Sequence, residues 1–350
     1  MSIANYLLSW YQKNSRDLPW RKTQDPYVIW LSEIILQQTR VEQGMPYFYR
    51  FLEELPTVKD FAESDSQTIL RLWQGLGYYS RARNMHKAAK LVMQKYGGVF
   101  PCRYDELIEL PGVGDYTASA ISSFSSNEQR AVLDGNVFRF LSRYFGIYTP
   151  INSSQGKKEF SALASSLISS EQPGLYNQAI MDFGSLVCKP KSPLCISCEL
   201  HGDCKAFQQE LISELPVKTK AKASRNRYFN YFILEHSGEF VLTKRPEGDV
   251  WADLYEFPLI QSDHMLAIDE LYALSEFQAI FPEGVTLEQI GPEVKHVLSH
   301  QNIFARFYRV HFQGSKIEKN PQWNYYNSDK MDKLAKHKLI FTFIKKYLVD

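Results

Sequence analysis

The stretch Leu110-Pro111-Gly112-Val113-Gly114-Asp115-Tyr116-Thr117-Ala118 sets the reading of the first part of this chain. Pro111 stops one helix, and the two glycines permit a tight turn before a run of small residues starts the next. Such a turn presents backbone N–H groups at a helix start, which suits a phosphate without any basic side chain. Gly-x-Gly is equally the composition of a plain turn between two helices.

Outward from this turn, apolar residues recur at three- and four-residue spacing, as in Tyr6-Leu7-Trp10-Tyr11 and Leu70-Trp73. Pro26, Pro46, Pro56, Gly75, Gly77, Gly97 and Gly98 punctuate them, so residues 1–215 are expected to form an all-α domain. Residues 216–227 carry Lys218, Lys220, Lys222, Arg225 and Arg227 with no acidic residue, the composition of a basic linker. Beyond it the period changes. Tyr228–Leu234 and Phe240–Thr243 read as strands of a hairpin joined by a Ser-Gly turn, and 303–312 alternates with Ile303, Ala305 and Phe307 on one side. A closing amphipathic helix carries Ile340, Phe343, Ile344 and Tyr347. The expectation is a two-domain protein, all-α over 1–215 and α+β over 228–350.

With 350 residues the chain can bury two cores. Its net charge of +1 neither favours nor excludes a polyanion, so the placement of basic residues matters more. Arg81, Arg83 and Lys87 follow a Gly-Tyr-rich turn, and Arg139 and Arg143 lie one helical turn apart; each group could be an ordinary solvated face. No signal peptide occupies residues 1–20 and no apolar run could span a bilayer, so the expectation is an intracellular monomer without a membrane partner, in the cytoplasm or nucleoid if bacterial.

Of five cysteines, Cys102 stands alone and is expected to be a small core residue. Cys188, Cys195, Cys198 and Cys204 follow the pattern Cys-x6-Cys-x2-Cys-x5-Cys. Thiolates this dense converge on a metal, and spacing alone leaves a structural zinc and a [4Fe–4S] cluster both open.

Two carboxylates stand out. Glu33 is the one charge in the apolar run Val28–Leu36, where a carboxylate is costly unless paired or functional. An apolar site raises a glutamate's pKa towards that of a general acid near neutral pH, although a salt-bridged structural glutamate would read the same way. Asp134, in Val132-Leu133-Asp134-Gly135-Asn136-Val137, reads as a helix N-cap. One protonated and one ionised carboxyl group are what glycosidic cleavage requires.

The cysteine spacing and the string Leu-Pro-Gly-Val-Gly-x-Tyr-Thr-Ala resemble the iron–sulfur loop and helix-hairpin-helix element of the endonuclease III superfamily of DNA glycosylases. The strings Trp30-Leu31-Ser32-Glu33-x-x-Leu36-Gln37-Gln38-Thr39, Leu18-Pro19-Trp20-Arg21 and Gly75-Leu76-Gly77-Tyr78-Tyr79-Ser80-Arg81-Ala82-Arg83-Asn84 resemble its adenine-specific branch, the MutY family. The resemblance spans the first domain. It implies base excision repair: a hydrolase that binds double-stranded DNA, flips adenine mispaired with 8-oxoguanine or guanine, and cuts its N-glycosidic bond. It implies a [4Fe–4S] cluster on the four clustered cysteines, with Lys189, Lys191 and Lys205 as phosphate contacts. By the same resemblance Glu33 protonates adenine N7, Asp134 faces the sugar cation and Tyr116 assists at the sugar. Bifunctional relatives place a lysine nucleophile where this chain has Tyr116, which implies a monofunctional enzyme. Trp20, Arg21, Leu36 and Gln178 would line the adenine pocket, Gly112 and Gly114 would meet the DNA backbone, and Gln38 and Tyr78 would reach the opposite base.

Trp251-Ala252-Asp253-Leu254-Tyr255-Glu256-Phe257-Pro258 and His296-Val297-Leu298-Ser299-His300 resemble the family's Nudix-like C-terminal domain, which implies 8-oxoguanine recognition through Ser299 and His300. Leu298 stands where relatives usually have phenylalanine. No Arg-Glu-x2-Glu-Glu string is present to hold magnesium, so this domain reads as a binding module. A pyrimidine-specific relative is disfavoured by Glu33 and the second domain. A zinc-containing DNA-binding protein without activity would leave Glu33 and Asp134 idle.

Overall fold

The computed structural model describes residues 2–219, 224–312 and 320–348. Lys220 and Lys222 of the expected linker lie outside these residues. The chain divides into two units, Met1–Glu63 with Asn84–Lys220, and Ser64–Arg83 with Ala221–Asp350.

The first unit is helical, as its periodicity predicts. It contains α1 (Ile3–Asn14), α2 (Pro26–Leu36), α3 (Val41–Glu54) and α4 (Val58–Glu63). After α5 (Ser66–Leu72), which belongs to the other unit, α6 (Ser80–Tyr96) crosses back, and α7 (Tyr104–Leu107) to α8 (Asp115–Ser126), α9 (Gly135–Phe145), α10 (Ser154–Leu167), α11 (Pro173–Leu186) and α12 (Lys205–Gln208) follow. Local chemistry sets the boundaries. Asp25 caps α2 by accepting from Tyr27 N at 2.8 Å, with Pro26 pre-set for the first turn. Helix α2 packs on α3 and α8, while α11 packs on α1, α8 and α9. Leu7, Val137, Phe140, Leu141, Phe160 and Phe183 close the core between them. Gly184 lets α11 approach the start of α9, since a Cβ there would stand 2.8 Å from Asn136 O. That approach fixes the loop carrying Asp134.

The second unit holds two sheets. Strand β1 (Arg225–Ile233) lies between β5 (Leu259–Ser262), antiparallel, and β8 (Gln301–His311), parallel, and β8 also pairs with β6 (Thr286–Gln289) and β7 (Val294–Val297). The other sheet runs β2 (Glu235–His236), β3 (Glu239–Lys244) and β4 (Tyr255–Glu256), with β9 (Asn324–Asn327) on β3. Helices α13 (Ile268–Ala273), α14 (Ser275–Ile280), α15 (Ser328–Lys333) and α16 (Lys338–Tyr347) complete it. The expected hairpin exists only at its tip: the Ser237-Gly238 turn joins β2 to β3, whereas the body of β1 is central in the other sheet. Along β8 the alternation holds for Ile303, Ala305 and Phe307, yet Tyr308 and Val310 are buried too. Both faces of this strand are covered, by Phe343 of α16 stacked on Phe307 at 3.8 Å, and by the cluster around Leu271 and Phe277.

Arg225 and Arg227 are strand residues, and Arg227 is paired with Asp249 at 2.7 Å. Among the described residues no helix is long and apolar enough to cross a membrane.

Candidate active site and cysteine loop

Glu33 lies in the last turns of α2, a helix buried on nearly every side, and is itself 7% exposed. Its Oε2 accepts a hydrogen bond from the Tyr116 hydroxyl at 2.8 Å. Burial pushes the Glu33 carboxyl up to about 7; the Tyr116 donor and the Arg21 charge pull down, and Asp134 pushes further up. Near neutral pH the group can therefore hold its proton. Tyr116, in the first turn of α8, is held well above its ordinary value by burial and by Glu33, so it remains a donor.

Asp134 is the N-cap of α9. Its Oδ1 accepts from Asn136 N at 2.8 Å and Val137 N at 2.7 Å, and its Oδ2 from Asn136 Nδ2 at 2.6 Å. Burial raises this carboxyl above the ordinary range, opposed by these three donors and by Arg139. The three donors favour the carboxylate form, an arrangement Glu33 lacks.

Both carboxyl groups and Tyr116 line one cavity of about 410 Å³, which Trp20, Arg21, Leu36 and Gln178 also line. All four residues expected at the adenine pocket thus sit with the three expected catalytic groups. Trp20 is buried edge-on to Phe48 at 5.1 Å, and so serves both the core and the wall. Arg21 is not a free cation: Nη1 and Nη2 donate to Asp182 at 2.7 and 2.8 Å. Arg16 Nε shares the same carboxylate at 3.0 Å. Burial would raise Asp182, but the two guanidinium partners prevail and hold it below its ordinary value. The sequence reading missed Arg16 and Asp182. The signal was present, because Asp182 is a lone charge in Ala179-Ile180-Met181-Asp182-Phe183, as Glu33 is in its own run.

The remaining expected residues stand elsewhere. Gln38, exposed just beyond α2, has φ +58°. Gly112 has φ +81°, and a Cβ there would stand 2.7 Å from Asn84 Cβ, so the hairpin admits no other residue without strain. Gly114 has an ordinary backbone and open space where its side chain would be. In the second unit Ser299 and His300 form the exposed turn between β7 and β8, closed by Leu298 N donating to Gln301 O at 2.8 Å. Tyr78, 46% exposed and at φ +48°, shares a hydrogen bond between its hydroxyl and that of Ser299. A tyrosine in the left-handed region is uncommon and is held there by its surroundings.

Cys188, Cys195, Cys198 and Cys204 all line one small cavity of about 30 Å³, together with Arg143, Phe140 and Phe183. Among the described residues no three His, Cys, Asp or Glu groups stand close enough to hold a single metal ion. Four cysteines around one small hollow fit a group held by four thiolates, as a [4Fe–4S] cluster or a structural zinc would be. Burial and mutual repulsion both raise the Cys195, Cys198 and Cys204 thiols, a penalty that a bound cationic group relieves. Cys102 is half-buried rather than in the core.

Arg139 and Arg143 are not a solvated face. They are 8% and 3% exposed and brace this loop. Arg139 donates to Cys188 O, Gly184 O and Asn136 Oδ1, at 2.7, 2.7 and 2.9 Å. Arg143 donates to Lys189 O at 2.8 Å and Leu215 O at 3.0 Å, with Nη1 3.6 Å from Cys188 Sγ. Loop carbonyls buried without strand or helix partners need such donors.

Residues 31–166 match the model of the HhH-GPD superfamily of base excision DNA repair proteins, and residues 230–346 match that of the NUDIX domain. An adenine DNA glycosylase of Buchnera aphidicola (subsp. Acyrthosiphon pisum) is 38% identical over 73% of this chain and 73% of its own. That of Rattus norvegicus is 33% identical over 88% of this chain and 70% of its own. Among solved structures, a thermostable thymine-DNA glycosylase superposes at TM-score 0.55 with 28% identity, over 59% of this chain and 95% of that one. An endonuclease III–DNA complex does so at 0.52 with 22% identity, over 59% and 94%, which extends the likeness of fold. With Glu33, Tyr116 and Asp134 in one buried cavity of a helical unit, followed by a Nudix-like domain, the chain belongs to the MutY family of adenine DNA glycosylases.

Proposed function

We propose that this enzyme is a monofunctional glycosylase that removes adenine paired with 8-oxoguanine or guanine from duplex DNA. The observation that carries the reading is Glu33, raised to about 7 beside Asp134 in a cavity whose hairpin position holds Tyr116 and not a lysine. After extrusion of the base, Glu33 donates its proton to adenine N7, which turns a poor leaving group into a neutral one. Tyr116 holds the Glu33 carboxyl in position. Asp134, whose charge the donors at the start of α9 favour, faces the oxocarbenium-like sugar and stabilises it. No amine is available at residue 116 for a Schiff base, so the strand stays intact.

The four cysteines, Cys188, Cys195, Cys198 and Cys204, would hold a [4Fe–4S] cluster. That group supplies structural cross-linking of the loop, and Arg139 and Arg143 hold the backbone around it. Lys189, Lys191 and Lys205 on the same loop would meet phosphates, as would the hairpin at Gly112 and Gly114. Residues 1–215 would perform the chemistry and residues 228–350 would read the lesion. Gln38 and Tyr78 would contact the opposite base, with Ser299 and His300 recognising the oxidised guanine.

The test is single-turnover excision, with alkali to reveal abasic sites, on duplexes carrying A opposite 8-oxoguanine, A opposite G, and A·T. The expected order is 8-oxoguanine first, guanine second and A·T uncut. Equal cutting of A·T, or strand breaks without alkali, would overturn it. Absorption near 400 nm in the purified protein would report the cluster.

A further inference from the structure

Tyr11 does not line the catalytic cavity, yet it touches a residue that does. Its hydroxyl donates to Gln178 Oε1 at 2.7 Å, and the tyrosine itself is 6% exposed. We propose that Tyr11 is a positioning residue for base selectivity: it fixes the sense of the Gln178 amide so that Nε2 faces the base as a donor. This rests on the assignment of the cavity to the extruded adenine.

An amide side chain carries an acceptor and a donor on two nearly isosteric branches, and a half-turn exchanges them. Something must choose between the two. Gln178 stands on the face of α11 that also gives Met181 and Ser185 to the cavity. Behind it, Tyr11 belongs to the helical core, and the Arg21 guanidinium lies 5.5 Å from its ring centroid. Arg21 is in turn fixed on Asp182, so the hydroxyl has little freedom to move. Burial raises the Tyr11 pKa, which keeps the group a donor. With Oε1 engaged, Nε2 has no protein acceptor among the described residues.

Adenine presents a 6-amino donor flanked by ring-nitrogen acceptors. An amide in the fixed sense gives its N–H to a ring nitrogen and its second oxygen lone pair to the 6-amino group. A 6-oxopurine puts an acceptor where that amino group stands, so oxygen would face oxygen. A flipped amide would suit the 6-oxopurine but would turn Nε2 towards the Tyr11 hydroxyl, whose ring-delocalised oxygen is a better donor than acceptor, so Tyr11 disfavours the flip.

The test uses the full-length enzyme in excess, on duplexes carrying adenine or hypoxanthine opposite guanine. Wild type, Tyr11→Phe, Gln178→Met and the double variant are compared, with thermal melting to verify folding. Tyr11→Phe should lower the adenine-to-hypoxanthine rate ratio roughly tenfold. Gln178→Met should lower it at least as much, and the double variant no further than Gln178→Met alone. A purely structural role would slow both bases alike and leave the ratio unchanged, which would overturn the proposal. So would a Tyr11→Phe loss that persists in full in the Gln178→Met background. An unchanged ratio in Gln178→Met alone would instead show that the base is not read at this residue, and would remove the reading beneath it.

Discussion

The guanidinium of Arg139 and the side-chain oxygen of Asn136 lie 2.9 Å apart, and this bond links Asp134 to the cysteine loop. Asn136 Nδ2 donates to Asp134 Oδ2, and Arg139 Nε donates to Cys188 O. One buried cation therefore serves two tasks, aligning a carboxylate and holding a loop closed. Removing Arg139 strands three acceptors, each costing about 1–3 kcal/mol if left dry. Arg139→Met should lower iron content and excision together. Asn136→Ala should slow excision with iron retained, because Arg139 keeps its bonds to Cys188 O and Gly184 O. Iron per chain and single-turnover rate, measured side by side, decide this; full activity in Asn136→Ala would detach the bond from catalysis.

Glu33 makes the pH dependence predictable in sign. Its protonated form is the competent one, so excision should fall as pH rises through about 7. Stability moves the same way. A carboxyl raised from 4.5 to about 7 on folding contributes stability that is fully present below about 4.5 and lost progressively up to about 7. Above that range the loss approaches about 3 kcal/mol. Glu33→Gln keeps an oxygen for the Tyr116 hydroxyl and removes the ionisation. It should abolish excision by ~10²–10⁴-fold or more, leave mismatch binding nearly intact, and melt higher than wild type at pH 8. Near-normal excision by this variant would take Glu33 out of the chemistry.

Tyr116→Lys puts an amine-bearing side chain at the hairpin position whose tyrosine hydroxyl donates to Glu33 at 2.8 Å. Some strand cleavage should appear, and borohydride should trap a protein–DNA adduct on an adenine-containing duplex. A folded variant that still releases adenine and traps nothing would show that residue 116 does not reach the sugar.

The site was legible where a residue violated its surroundings. Glu33 in an apolar helix and four crowded cysteines could be read without coordinates, since burial of charge and density of thiols are properties of the string. Arg139 and Arg143 could not: a helical repeat of arginines looks the same whether water or buried carbonyls receive it. The β1–β8 parallel pairing was likewise hidden, because partners more than seventy residues apart leave no local trace. Asp182 lay between these cases, readable by the rule that found Glu33 but passed over.

Tyr78 and Ser299 share a hydrogen bond within the second unit, which predicts coupling between the two residues proposed to read the opposite base. Tyr78→Phe and Ser299→Ala should each reduce the preference for 8-oxoguanine over guanine, and the double variant should lose less than the product of the two. Strict additivity in single-turnover rates would mean that the hydroxyls act separately.

Deleting residues 228–350 tests the division of labour, and the fold changes what should be expected. Glu33, Tyr116, Asp134 and the four cysteines all precede the cut, so iron binding and the chemical step should survive. The preference for 8-oxoguanine should shrink by roughly tenfold or more, since Ser299 and its turn are gone. Stability should fall as well, because Ser64–Arg83 belongs to the unit being removed. Gln67 Nε2 donates to Asp253 O at 2.9 Å, Arg83 Nη1 to Ala252 O at 2.8 Å, and Tyr79, only 3% exposed, to Lys336 O at 3.2 Å. The cut leaves these donors to water and uncovers Tyr79, so the truncated chain should melt several degrees lower and be cleaved first by protease between residues 64 and 83. The measurement is excision on the two duplexes with melting and limited proteolysis on the same preparations. An unchanged ratio would place discrimination in the retained residues, through Gln38 and Tyr78. Loss of excision on both duplexes, with iron retained and a cooperative melt, would make residues 228–350 part of the catalytic machine.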